Sequence, residues 1–190
     1  APSARALASG PLLTLGARGE SLGAAVRCRG REGAEAFLAR ELPELRTVAW
    51  VAQVGPHRCG ALAQTPSRED VDRHPTRCPD PTAAEAMAAR ITAARELHDS
   101  LGGAIDVRIV GLPVGLGEPV FGKLKAQLAS GLASIGAVTG VTWGPEDTAQ
   151  AVAVEGSRFH SDSSAYGGIQ GGLANGEPVA LRVYFKPTAS

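Results

Sequence analysis

Between Thr82 and Leu101 the apolar positions Ala83, Met87, Ile91, Ala94, Leu97 and Leu101 recur every three or four residues, the spacing of one helix face. Thr82 stands as an N-cap ahead of Glu85, and Gly102-Gly103 stops the pattern, so a helix is expected across this stretch. A second helix is expected over Glu118 to Ser134, built on Phe121, Leu124, Leu128 and Leu132 and ended before Gly136. The period changes to two from Ala104 to Gly111, where Ile105, Val107 and Ile109 alternate with Asp106 and Arg108, which predicts a strand with one wet face. Leu45 to Val54 is β-branched and aromatic enough for a strand, and Ala137 to Trp143, Gln150 to Glu155 and Val179 to Phe185 predict three more. Nearer the N-terminus, Leu12 to Leu15 and Leu22 to Arg27 are expected as short strands separated by Gly16-Ala-Arg-Gly19. Glu32 to Leu42 reads as a short helix with Phe37, Leu38 and Leu42 on one side, stopped by Pro43. The stretch from Gly55 to Pro81, with Pro66, Pro75 and Pro79, is expected as a turn-rich connection. Strands before and after long helices, with hairpin-like pairs elsewhere, indicate an α+β fold in which a mixed or antiparallel sheet is covered by helices.

Composition narrows this picture. A chain of 190 residues hides roughly 70% of its unfolded surface when folded, enough for one core, so residues 1–190 are expected to form a single domain. The formal net charge is zero, which excludes the one-sided basic field that nucleic acid or an anionic membrane selects. No apolar run has the length of a membrane span, and the N-terminus lacks the order of a signal peptide, so a soluble, intracellular protein is expected. Cys28, Cys59 and Cys78 include no C-x-x-C pair, which points to free thiols rather than a disulfide framework or a zinc site. His57, His74, His98 and His160 are scattered outside any metal-ligand spacing, so no metal is expected.

Four segments carry candidate chemistry. Tyr166-Gly-Gly-Ile-Gln-Gly-Gly-Leu-Ala-Asn-Gly176 holds two Gly-Gly pairs three residues apart, the pattern of backbone approaching a ligand closely. Lys186 follows a strand and precedes Pro187, either as a surface lysine or as a cation fixed at a sheet end. Arg27-Cys-Arg-Gly-Arg31 sets three arginines at alternate positions, which on an extended segment aims them to one side, suited to phosphate or carboxylate; a solvated turn is the other reading. Gly111-Leu-Pro-Val-Gly-Leu-Gly-Glu-Pro-Val120 reads either as a helix start with Pro119 at its first position or as an anion or subunit contact. His160 and Asp162 lie close enough in sequence to pair, in a serine-rich stretch.

The order of several motifs resembles chorismate synthase. The series is Gly115-Leu-Gly-Glu-Pro-Val-Phe121, Ser134-Ile-x-Ala-Val-x-Gly-Val141, Gly156-Ser157, Gly167-Gly-Ile-x-Gly-Gly-x-x-Asn-Gly176 and Lys186-Pro-Thr188. Cys78-Pro-Asp-Pro81 and Asp99-Ser-Leu-Gly-Gly103 resemble the same family upstream, and Gly19 to Gly23 and Arg27 to Glu32 do so more loosely. The resemblance implies a β-α-β sandwich, a cytoplasmic homotetramer, reduced FMN as cofactor, and conversion of 5-enolpyruvylshikimate 3-phosphate to chorismate in aromatic amino acid biosynthesis. It puts flavin contacts on Arg27, Ala137, Gly171, Lys186, Pro187 and Thr188. It assigns no catalytic residue, because the family's Gly-Glu-Ser-His-Gly and Gly-His-Ala-Asp histidines and its Arg-His-Asp-Pro aspartate are not recognisable in these 190 residues. In the arginine motif, Cys28 and Arg29 stand where the family has two serines. The resemblance thus leaves two functional readings, a flavin-dependent lyase or an incomplete homologue acting as a flavin-binding, anion-binding or assembly module.

Overall fold

A computed structural model describes residues 14–15, 20–21, 40–62, 64–144, 152–155, 158–161 and 166–187. Strands β1 (Thr14–Leu15) and β2 (Glu20–Ser21) pair antiparallel across the predicted Gly16–Gly19 turn. Further along come β3 (Arg46–Val54), β4 (His57–Arg58), helix α1 (Arg68–Asp72), helix α2 (Pro81–Glu96), β5 (Gly103–Val110), helix α3 (Leu124–Ala133) and β6 (Val138–Trp143). Strands β7 (Val152–Glu155) and β8 (Arg158–Ser161) pair as one small ladder, and β9 (Ile169–Gln170) and β10 (Leu173–Ala174) as another, ahead of β11 (Val179–Phe185). The principal sheet has the order β4-β3-β5-β11-β6. Every pairing in it is antiparallel, so the expected α+β class holds and the sheet is antiparallel rather than mixed among the described strands.

Register fixes which side chains share a face. Val183 stands opposite Ile105 and Val141, and Ile105 opposite Val51, so these four point the same way. Both long helices cover that face. Leu124 of α3 is buried with Val179, Leu181 and Val183, and Leu128, Leu132, Val141 and Trp143 pack around them. Met87, Ala83 and Ala84 of α2 form a second buried cluster with Cys78, against which Val51, Val54 and Cys59 pack. The opposite face carries Trp50, Asp106 and Arg182 in one cross-strand row.

Helix boundaries depart from the periodic pattern for reasons of backbone satisfaction. Helix α2 starts at Pro81, because Asp80 rather than Thr82 is its N-cap and accepts from the Thr82 and Ala83 N–H groups. It ends at Glu96; Leu97 is the C-cap and His98 adopts a φ of 53°, which turns the chain out one helical turn before Gly102. Leu97, expected on the apolar face, is therefore exposed. Helix α3 starts at Leu124, not Glu118, because Glu118 N–H bonds to the Gly122 carbonyl at 2.8 Å and closes a tight turn first. Phe121 sits at the tip of that turn, 94% exposed instead of packed in a helix face. Within the connection from 55 to 81 the pattern missed α1, whose N-cap Ser67 and Asp70 make a reciprocal capping box. The predicted strand over 22–27, and all but the end of the predicted helix over 32–42, lie outside the described residues.

Candidate functional site

The two Gly-Gly pairs divide into packing positions and one open position. Gly168 has a φ of 77°, and a Cβ there would lie 2.7 Å from the Pro178 carbonyl oxygen and 2.8 Å from that of Glu177, so its job is to let two main-chain segments touch. Gly167 and Gly172 are similarly hemmed in, the first by Gly144 and Ala180 main chain and the second by the Lys123 stem. Gly171, with a φ of 60°, has nothing within 4 Å of its would-be Cβ. The loop is thus anchored at three glycines and presents the fourth. It is fastened to the segment before α3: Gly115 N–H bonds to Ala174 O at 2.8 Å, Ala174 N–H to Leu116 O at 2.9 Å, and Leu124 N–H to Gly172 O at 2.8 Å. The anion-or-subunit reading of Gly111–Val120 therefore gives way, over Gly115 and Leu116, to a structural role in carrying the glycine loop. Gly171 borders a hollow of about 470 Å³ shared with Lys123, Lys125 and Trp143.

The other predicted residues gather at the far end of the sheet. Lys186 N–H donates to the Ala137 carbonyl at 3.0 Å, which joins the residue after β11 to the residue before β6. Ala137 has a φ of 68°, a left-handed conformation rare for a residue with a Cβ and commonly held only where its surroundings require it. Beside them Gly102 makes room for the segment after β11: a Cβ there would sit 2.7 Å from Phe185 O and 3.0 Å from the Pro187 ring. Lys186 and Pro187 are exposed, and Lys186 has no carboxylate partner among the described residues. A cavity of about 510 Å³ opens alongside, between α2 and the ends of β3, β5 and β11, with Gln53, Arg95 and Asp99 as its polar members. Helix periodicity concealed Arg95, which reads as an ordinary polar-face residue, while Asp99 was signalled only by the Asp99-Ser-Leu-Gly-Gly103 motif.

Ala137, Lys186 and Pro187 thus come together, whereas Gly171 stands near Trp143 at the opposite end of β6, about 17 Å along a strand of that length. Arg27 and Thr188 lie outside the described residues, as does most of the serine-rich segment around Asp162. An exposed lysine without a described carboxylate partner and an open glycine are each suited to meeting an anionic ligand.

Two groups near the start of α2 have shifted acidity. The Asp80 carboxyl is held below its ordinary value, first by the Ala83 N–H, then by the Gly60 and Thr82 N–H groups that it accepts. Desolvation, followed by the neighbouring Cys78, pushes the Cys59 thiol up to about 12, which disfavours Cys59 as a nucleophile, while Cys78 is buried in the core.

Fold and candidate site together define an α+β protein in which helices line one face of an antiparallel sheet, with open hollows at the strand ends and beside a glycine loop. The chorismate synthase family matches residues 15–190, and the chain belongs to that family. Chorismate synthase of Opitutus terrae is 38% identical over 151 residues, covering 75% of this chain and 42% of the relative. That of Cereibacter sphaeroides is 34% identical over 186 residues, covering 92% and 50%. A crystal structure of chorismate synthase superposes with a TM-score of 0.68 at 24% identity, over 87% of this chain and 55% of that one, which shows the shared fold. The chain spans about half the length of the curated relatives it matches.

Proposed function

We propose that this chain supplies part of a chorismate synthase: a lyase that breaks a carbon–oxygen bond of 5-enolpyruvylshikimate 3-phosphate, releasing phosphate and a ring proton to leave chorismate. The observation that carries this reading is the family match over 176 of the chain's residues (15 to 190), and the meeting of Ala137 and Lys186 at one sheet end supports it. Lys186, with Arg27 and Thr188 flanking it in sequence or by motif, would bind reduced FMN, and Pro187 would stiffen the segment that carries the lysine. Gly171 would bring main chain against the cofactor, because no described side chain stands in the way. Reduced FMN held by these residues would supply transient electron density for the loss of phosphate, without net redox change. The chain's own part is to hold the anionic groups and keep the strand ends aligned. Residues 1–190 would fold as one domain of a cytoplasmic homotetramer, and among the described residues no helix is long and apolar enough to cross a membrane.

The test is an anaerobic titration with reduced FMN followed by an assay for phosphate and chorismate. Turnover supports the lyase. Flavin binding without turnover would reduce the chain to a binding module. Absence of flavin binding would remove the site.

A further inference from the structure

The face of the sheet turned away from α2 and α3 holds a second, separate pocket of about 430 Å³. Its floor is the cross-strand row Trp50, Asp106 and Arg182, with Arg108 two residues along β5 on the same face, and its rim includes Gln64 and Thr65. Arg182 is committed to Asp106 through two parallel bonds, Nε to Oδ1 at 2.6 Å and Nη2 to Oδ2 at 3.0 Å. Those two charges cancel. Arg108 has no ion-pair or hydrogen-bond partner among the described residues, so the described pocket residues leave one net positive charge. Trp50 is only 7% exposed, and its indole N–H has no acceptor among the described residues. Since no described buried side-chain nitrogen or oxygen is both sealed from solvent and unpartnered, that N–H reaches solvent, and this pocket is the space Trp50 lines.

We infer that this pocket binds a small monoanion with a flat apolar body, an aromatic carboxylate in chemical class, its charge on Arg108 and its ring against Trp50. The charge count selects a single negative group, because a dianion would leave one charge uncompensated beside Asp106. The volume sits at the lower end of small-ligand pockets, which favours one ring over two. An indole with its N–H open offers one neutral donor in addition to its face. The site lies on the other side of the sheet from the cavity beside Lys186, so its occupancy is independent of the flavin contacts proposed above.

Trp50 itself reports binding. In a Trp143→Phe background it is the one remaining tryptophan of the sequence, and its emission is titrated with benzoate, with acetate and inorganic phosphate run as separate probes. The expected result is a saturable change with benzoate, half complete at about 1 mM or below, with acetate and phosphate at least about tenfold weaker. Arg108→Gln should weaken benzoate at least about tenfold with an unchanged circular dichroism spectrum. Asp106→Asn should tighten it severalfold, because a negative charge beside Arg108 is removed, and a merely damaged pocket would not do so. No saturation by about 20 mM, or equal affinity in Arg108→Gln, overturns the site. Acetate or phosphate binding as well as benzoate overturns the flat-body assignment. Reduced FMN binding is measured in parallel and should be unaltered by Arg108→Gln.

Discussion

Gly168→Ala and Gly171→Ala make the same chemical change three residues apart in one loop, yet the structure predicts very different outcomes. Both glycines occupy left-handed backbone, with φ of 77° and 60°, so each alanine carries a conformational penalty of about 1 kcal/mol. At Gly171 that is the whole cost, because among the described residues no heavy atom lies within 4 Å of the added Cβ. At Gly168 the methyl would stand 2.7 Å from Pro178 O, 2.8 Å from Pro178 C and 2.8 Å from Glu177 O, all main-chain atoms that cannot rotate away. Moving the 177–178 segment would also pull on the start of β11, where Val179 is fully buried. Overpacking of this kind adds about 2 to 3 kcal/mol, for a total of about 3 to 4 kcal/mol. With a urea dependence of about 2 kcal/mol per molar, the unfolding midpoint should fall by about 0.5 M for Gly171→Ala and by at least about 1.5 M for Gly168→Ala. Equilibrium urea unfolding followed by circular dichroism measures both. Equal shifts would refute the division of the loop into packing and presenting glycines. Folded Gly171→Ala should in addition lose reduced-FMN affinity, which its small stability change cannot account for.

Other consequences can be checked separately. Met87→Ala empties a site with 0% exposure between α2 and β3 and should destabilise by about 3 kcal/mol in the same urea assay. Asp80→Ala removes the N-cap of α2 and the acceptor of the Gly60 N–H, and should cost about 1 kcal/mol near neutral pH. Because the folded-state pKa of Asp80 is depressed, its contribution is present above the unfolded value near about 4 and is lost as pH falls through the lower folded value. Stability measured from pH 6 to pH 2 should therefore decline less in Asp80→Asn than in the parent. Cys59, its pKa raised to about 12, should alkylate with iodoacetamide at pH 8 on the order of a hundredfold more slowly than an unstructured thiol, and peptide mass mapping would reveal faster labelling if the placement is wrong.

Strand positions were readable because their signal is local. Val179 to Phe185 is rich in Val, Leu, Tyr and Phe, and the strand occupies those residues. Ile105, Val107 and Ile109 faced the helices as their alternation implied, although Asp106 and Arg108 line a pocket rather than open water. Helix ends were less legible, because they are decided by hydrogen bonds to residues outside the repeat: the Asp80 cap, the left-handed turn at His98, and the Glu118–Gly122 closure that holds Phe121 out of α3. Glycine identity announced close approach but not its partner. Only the three-dimensional neighbours of Gly168 and Gly171 separate main chain meeting main chain from main chain facing open space. The Ala137–Lys186 contact joins residues 49 apart in number, and no local pattern encodes it.

The order β4-β3-β5-β11-β6 has a consequence for how the chain is made. Strand β11 is the last described element to be synthesised, yet it lies between β5 and β6 and bonds to both. While a ribosome is still extending the chain through residue 178, β6 has no neighbour in the main sheet and β5 has only β3. Two apolar strand edges must wait, open to mispairing, until Val179 to Phe185 emerges and closes them in one step. Vectorial synthesis should therefore yield a late, concerted completion of the sheet, and a nascent chain halted before β11 should depend on chaperones that a chain released after Phe185 can leave behind.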